Sequence, residues 1–226
     1  MEDESELSGI MTLRLFPLGG VVFFPHTVLP LHIFEARYRR MTEDALATNR
    51  LITIVMVRPG AGVDDEGRPE IEEFACVGRI FKHERLADGR FNMLLVGLKR
   101  VRLLREIPTD KPYRIAESRI IEDIEEPSEA TRSERLLDDF RLYLEPAGGV
   151  DPDLEKIITP DLPLGVLVDI LSHTLNIEPA AKQKLLADCV ASSRADQLHE
   201  WFLRQITAQQ HESPSPRDFP PPFSPN

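Results

Sequence analysis

The sequence predicts an α+β fold, with a β-rich pseudo-barrel carrying one helix over residues 12–126 and a helical bundle over residues 127–208. Three observations predict it. The apolar pattern between Leu13 and Asp123 is mostly of strand type, it changes to helical spacing after Ser128, and the most apolar stretch of the chain is cut by prolines. That stretch, Leu15 to Phe34, runs for twenty residues without an Asp, Glu, Lys or Arg. A membrane span needs about 20 apolar residues in one unbroken helix. Here Pro17, Pro25 and Pro30 each remove a backbone donor, and Gly19-Gly20 loosen the chain. The stretch therefore reads as buried β structure, with strands at Val21 to Phe24 and Val28 to Ile33.

Glu35 to Thr48 interrupts the strands, because Phe34, Tyr38, Met41 and Ala45 recur at spacings of four, three and four, the stripe of an amphipathic helix. Leu51 to Val57, LITIVMV, follows as a strand apolar on both faces. Arg58 to Glu73 holds three Gly, two Pro and a crowd of carboxylates, so it is a solvated loop. Phe74 to Ile107 reads as a meander whose arms, Val77 to Leu86 and Arg90 to Val96, meet at Asp88-Gly89, a pair that tolerates the positive φ of a tight turn. Gly97 marks a bulge or bend, beyond which Leu98 to Arg105 continues, and Tyr113 to Asp123 adds another strand.

Four helices then follow. Ser128 to Glu145 aligns Leu136, Leu137, Phe140 and Leu144, and Leu164 to Leu175 aligns Leu164, Val168, Leu171 and Leu175. Pro179 suits the first turn of a third helix reaching about Val190. A fourth starts near Ser192 or Ser193 as N-cap and carries Leu198, Trp201, Phe202 and Ile206. The acidic residues 1–11 and the proline-rich residues 209–226, with six prolines in eighteen positions, are expected to be disordered.

A chain of 226 residues that is 42% hydrophobic buries a sizeable core. Its net charge of −11, clustered at Glu2 to Glu6, Asp64 to Glu73 and Glu122 to Glu126, repels phosphate backbones and anionic lipid. Neither nucleic acid nor membrane is an expected partner. Cys76 and Cys189 make no disulfide framework and no metal-type CxxC, which fits a reducing compartment. The start MEDESELSG is acidic where an export signal is basic and then apolar. The expected location is the cytoplasm.

No residue pattern demands a cofactor or a metal. His199-Glu200 begins like a zinc-protease helix, but Leu203 stands where the second His belongs. His26 and His32 have too few companions to make a metal site. Ser172 and His173 are adjacent on a helix and so point about 100° apart, which disfavours a nucleophile and its base. Glu35 and Arg37 have an ordinary explanation, a carboxylate at the positive end of a helix. Arg100 and Arg102, alternating with Val101 and Leu103, read as an outward, solvated strip. No catalytic residue is assigned. The remaining candidates are apolar: Phe23, Phe24, Leu29 and Leu31 lie where prolines limit ladder pairing and are either core or the lining of a groove for an extended peptide.

The opening LRLFPLGGVVFFPHTVLPLHIFEARY, then LITIVMV, the meander FACVGRIFKHERLADGRFNMLLVGLKRVRLL and the helical PLGVLVDILSHTLNIEPAAKQKLLA together resemble the substrate-binding domain at the N-terminus of Lon proteases, which also occurs alone and within cereblon. The resemblance covers roughly Thr12 to Phe202, and FEARY is closest to the small stand-alone members. It implies a β-rich pseudo-barrel followed by helices, used to bind polypeptide. The sequence holds no G-x-x-x-x-G-K-[ST] loop and nothing resembling the Ser-Lys peptidase module of full Lon proteases. The expected function is a non-catalytic module that binds unfolded or partly exposed chains, with a separate protease or chaperone as a possible partner. One alternative is a hydrolase with unrecognised chemistry or a remnant of an ATP-dependent protease, and another is a small-molecule-binding or scaffold protein.

Overall fold

The computed structural model describes residues 7–64, 67–124 and 129–212. Most of the N-terminal acidic segment and of the proline-rich tail lies outside the described residues. The chain forms six strands, β1 (Ile10–Gly19), β2 (Val28–Ile33), β3 (Leu51–Val57), β4 (Phe74–Arg85), β5 (Phe91–Glu106) and β6 (Ile115–Ile121), with α1 (Ala36–Leu46) between β2 and β3. Five helices follow, α2 (Glu129–Leu144), α3 (Pro152–Ile157), α4 (Leu164–Thr174), α5 (Pro179–Ala187) and α6 (Ala191–Glu212). The fold is mixed α+β. The short α3, capped by the Asp151 carboxylate, was not legible in the sequence, and α6 continues past residue 208.

The strands pair in the order β2-β5-β4-β3-β1-β6, and β5 pairs again with β6. The ladder β1-β3-β4-β5-β6 therefore returns on itself as a ring of pairings, with β2 attached outside it along the first half of β5. Alternation divides the apolar residues between two cores. Leu13, Leu15, Val55, Val77, Val101 and Ala116 form one cluster within the strand ring, and Leu7 joins it. Residues 7–11 were expected to be disordered. Instead Leu7 is buried and Ile120 donates its N–H to the Gly9 carbonyl, which extends the β1–β6 edge. The opposite faces of the strands, with Ile52, Ile54, Met56 and Cys76, pack against the helices in a second, larger cluster. β3 contributes to both, as its unbroken apolar run requires.

The hairpin turn at Asp88-Gly89 is as read, with Gly89 at φ +81°. Gly97 does sit at a register shift, where it pairs with Gly78. A Cβ at Gly97 would lie 2.1 Å from the Phe24 carbonyl oxygen, and one at Gly78 would lie 2.9 Å from the Phe23 ring. The two glycines clear a path for the segment that crosses them. Val21 to Phe24 is therefore not the expected strand; it lies over the β4–β5 bulge, tied by His26 N–H to Gly97 O and by Gly97 N–H to Thr27 O, both at 2.9 Å. Among the helices, α6 packs on α2 and α4 through Leu198 and Phe202, while α5 lies against β4, where Gln183 donates to the Phe74 carbonyl at 2.8 Å.

Candidate functional site

Of the four residues proposed from the sequence, Phe23 and Phe24 are 1% and 0% exposed. They are core, held down across Gly78 and Gly97, and line no groove. Leu29 and Leu31 are half-buried on β2 and pack on the outer core. β2 is the end strand of the sheet, and Pro30 suits that position because it has no N–H to offer a ladder. β2 is only six residues long. The edge left for strand addition is thus short.

The neighbouring sheet face is more open. A cleft of about 420 Å³ is lined by Pro30, Leu31 and His32 of β2, Lys82 to Glu84 of β4, and Asn92 to Leu94 of β5. Register explains the grouping: Pro30 faces Leu94, which faces Lys82, and His32 faces Asn92, which faces Glu84. The His32 ring is fixed by Asn92 Oδ1 at 2.7 Å from Nδ1 and stacks on Phe34 with centroids 6.3 Å apart. Phe34, placed by the sequence in the helical stripe, precedes α1 and is 62% exposed; Phe81, at the second register shift of β4, is 73% exposed. Such exposed rings beside a cleft are the kind of surface that takes apolar side chains of a partner.

A second cleft, of about 760 Å³, opens where β1, β3 and β5 end and β6 begins. Tyr38 and Arg37 of α1 border it, with Arg68 and Pro69 from the loop after β3 and residues 106–115 between β5 and β6. Glu35 stands at the positive end of α1 as its N-cap, though its side chain makes no capping hydrogen bond. Its carboxylate instead accepts from Arg37 Nε at 2.9 Å.

The strip of arginines is also corrected. Arg102 is exposed and paired with Glu73, but Arg100 is 3% exposed. Its guanidinium donates to Asp169 of α4, to Asp123 after β6 at 2.8 Å, and to the Leu186 carbonyl at 3.2 Å. Arg194 of α6, wholly buried, donates to both Asp123 oxygens and to the Asp188 carbonyl. Two guanidiniums and two carboxylates thus fasten the strands to α4 and α6. Gly165 allows it, since a Cβ there would lie 2.4 Å from Asp123 Oδ2.

Burial pushes the Cys76 thiol far up, so it stays protonated. Ser172 Oγ and His173 Nδ1 are each buried without a hydrogen bond. His199 Nδ1 lies 2.6 Å from Asp139 Oδ2 across α6 and α2. Among the described residues no group of three His, Cys, Asp or Glu side chains is placed to hold a metal ion, and no helix is long and apolar enough to cross a membrane.

Residues 12–204 match the family model described as the ATP-dependent protease La (LON) substrate-binding domain. The chain belongs to the Lon substrate-binding domain family. Among curated members, the Lon protease of Heliobacterium modesticaldum is 25% identical over 206 residues, covering 91% of this chain and 25% of that protein. Lon protease 2 of Syntrophobacter fumaroxidans is 33% identical over 105 residues, 46% of this chain and 13% of that one. The chain spans about a quarter of the length of the Lon proteases it matches over most of its residues. Two solved Lon N-terminal domains share the fold. One is a Lon N-terminal domain protein from Xanthomonas campestris, with a TM-score of 0.62 at 21% identity, covering 84% of this chain and 98% of that one. The other is the N-terminal domain of the Mycobacterium avium complex Lon protease, with a TM-score of 0.66 at 14% identity over 85% of this chain and 98% of that one.

Proposed function

We propose that this Lon-type domain is a non-catalytic module that binds unfolded or partly exposed polypeptide in the cytoplasm and serves proteolysis or quality control with a separate protease or chaperone. On this reading the strand ring is the pseudo-barrel of the family and the helices are the bundle that braces it. Family membership across residues 12–204 carries the proposal. The β2–β5–β4 cleft supports it, because half-buried Leu31 lends it apolar surface, the exposed Phe34 ring stacks on His32 of its lining, and His32, Asn92 and Glu84 can fix a peptide backbone. Phe23 and Phe24 act here from beneath, as the packing that holds β2 and β5 in place. Fluorescence anisotropy with unfolded model polypeptides tests the idea. Binding that weakens about tenfold in Leu31→Asp is expected, since charge in an apolar contact costs more than 1.4 kcal/mol. Absence of any binding by the wild-type chain refutes the proposal.

A further inference from the structure

The larger cleft at the end of the strand ring carries a second, chemically different site. Its floor includes Tyr38, whose ring is stacked between Phe16, with centroids 4.3 Å apart, and the Arg37 guanidinium, 4.5 Å from the ring centre. Tyr38 is 5% exposed, yet its hydroxyl makes no hydrogen bond among the described residues. The hydroxyl is not among the buried atoms left without a partner, so the ring is packed while the oxygen keeps solvent contact and is free to donate. Tyr38 lines the cleft together with Arg37 and Arg114.

Cations outnumber carboxylates among the lining residues of the cleft. Arg37, Arg68, Lys111 and Arg114 line it, against a single carboxylate, Glu106. Each cation is held by a carboxylate: Arg37 by Glu35, Arg68 by Asp64, Lys111 by Asp44 and Arg114 by Glu106. Only the last of these four carboxylates is on the wall. The others lie outside the lining; Arg114 also donates Nη1 to the Pro69 carbonyl at 2.7 Å, and since a guanidinium has five N–H groups, each arginine still has N–H groups to offer. Burial pushes the Tyr38 hydroxyl above its ordinary pKa, against the opposing pull of Arg37, and so keeps it a donor at neutral pH. Pro17, Val57, Ile107 and Pro108 supply apolar surface beside these groups.

We infer that this cleft binds a carboxylate carried on a polypeptide, with the Tyr38 hydroxyl and the Arg37 and Arg114 guanidiniums as donors and the proline-lined wall as the seat of the adjoining residues. The inference rests on the polypeptide-binding reading for the carrier alone; the donors and the cleft are separate from β2. The carboxylate comes from a chain end or from an Asp or Glu side chain, and each source leaves its own signature below.

The test uses the full chain and three fluorescent octapeptides of one neutral apolar body: one with a free C-terminus, one amidated with an internal Glu, one amidated and uncharged. At least one carboxylate peptide should bind about tenfold more tightly than the uncharged one, as a charge-assisted bond allows. The preference should shrink in salt and disappear in Tyr38→Phe and in Arg37→Gln. Arg37 is exposed, so its substitution leaves the fold intact whatever Tyr38→Phe does. A preference for the free C-terminus alone identifies the chain end; equal gain from the internal Glu identifies the side chain. Equal binding of all three peptides, lost in Leu31→Asp, overturns this inference and leaves the proposed function standing. A carboxylate preference untouched by both variants also overturns it, and binding of none of the peptides overturns both.

Discussion

Replacing Asp169 with Asn is the sharpest probe of how the two halves are joined. Asp169 is wholly buried and faces Arg100, with Arg194 at 3.7 Å, while the other acid of the cluster, Asp123, keeps a quarter of its side chain in solvent. The substitution keeps the shape but leaves two buried guanidiniums against one carboxylate. Breaking a buried pair costs about 3–5 kcal/mol, because the remaining charge has no partner. At roughly 2–4 °C per kcal/mol for a domain of this size, Tm should fall by about 6–20 °C. Urea unfolding followed by far-UV circular dichroism and by Trp201 fluorescence measures it. The double variant Arg100→Met with Asp169→Leu leaves Arg194 and Asp123 as a neutral pair and should recover most of the loss. A loss below about 1 kcal/mol in Asp169→Asn, or a double variant no more stable than the single one, refutes the reasoning about the buried charges.

Three further outcomes are expected. Burial, aided by Lys182, holds His173 below its ordinary pKa, so between that lowered value and about 6.5 the unfolded chain binds more protons than the folded one. Stability should therefore be full above pH 6.5 and decline as pH falls below it, and His173→Gln should flatten that slope in a pH series of urea midpoints. Gly97→Ala should destabilise by about 1–3 kcal/mol or more through overpacking, read as a shifted midpoint with an unchanged slope, since its Cβ would meet the Phe24 carbonyl. In the native protein a thiol reagent should modify the half-exposed Cys189 and spare the buried Cys76 until denaturant is added, as counted by mass spectrometry.

What the sequence disclosed is what periodicity controls. β3, the hairpin at Asp88-Gly89 and the core stripes of α2, α4 and α6 all follow from local spacing of apolar residues. Arg100 did not, because the register shift at Gly97 inverts the faces of β5: Phe91, Met93 and Leu95 face the outer core before it, and after it the even-numbered Arg100 does, while Val101 turns into the ring. Simple alternation puts that arginine in solvent. Phe23 and Phe24 were misread as a strand because their β-prone composition is shared by any buried apolar segment, and only the paired glycines, far away in sequence, decide that it crosses the sheet. The ring-end cleft had one sequence signal, the Glu35, Arg37 and Tyr38 triplet, but its other walls come from loops around residues 68 and 111 that no local pattern joins to it.

The ring of strand pairings also imposes an order on synthesis. β1 pairs in parallel with β3 and antiparallel with β6, so one of its edges stays without a partner until residue 121 has emerged, about a hundred residues after β1 itself. Domains begin to fold as they leave the ribosome, N-terminal part first. Until β5 is complete at residue 106 and the helices from residue 129 onward have followed, the apolar run from Leu15 to Phe34 lacks most of its cover. The prolines that break the run also limit its pairing with a neighbouring copy while it waits.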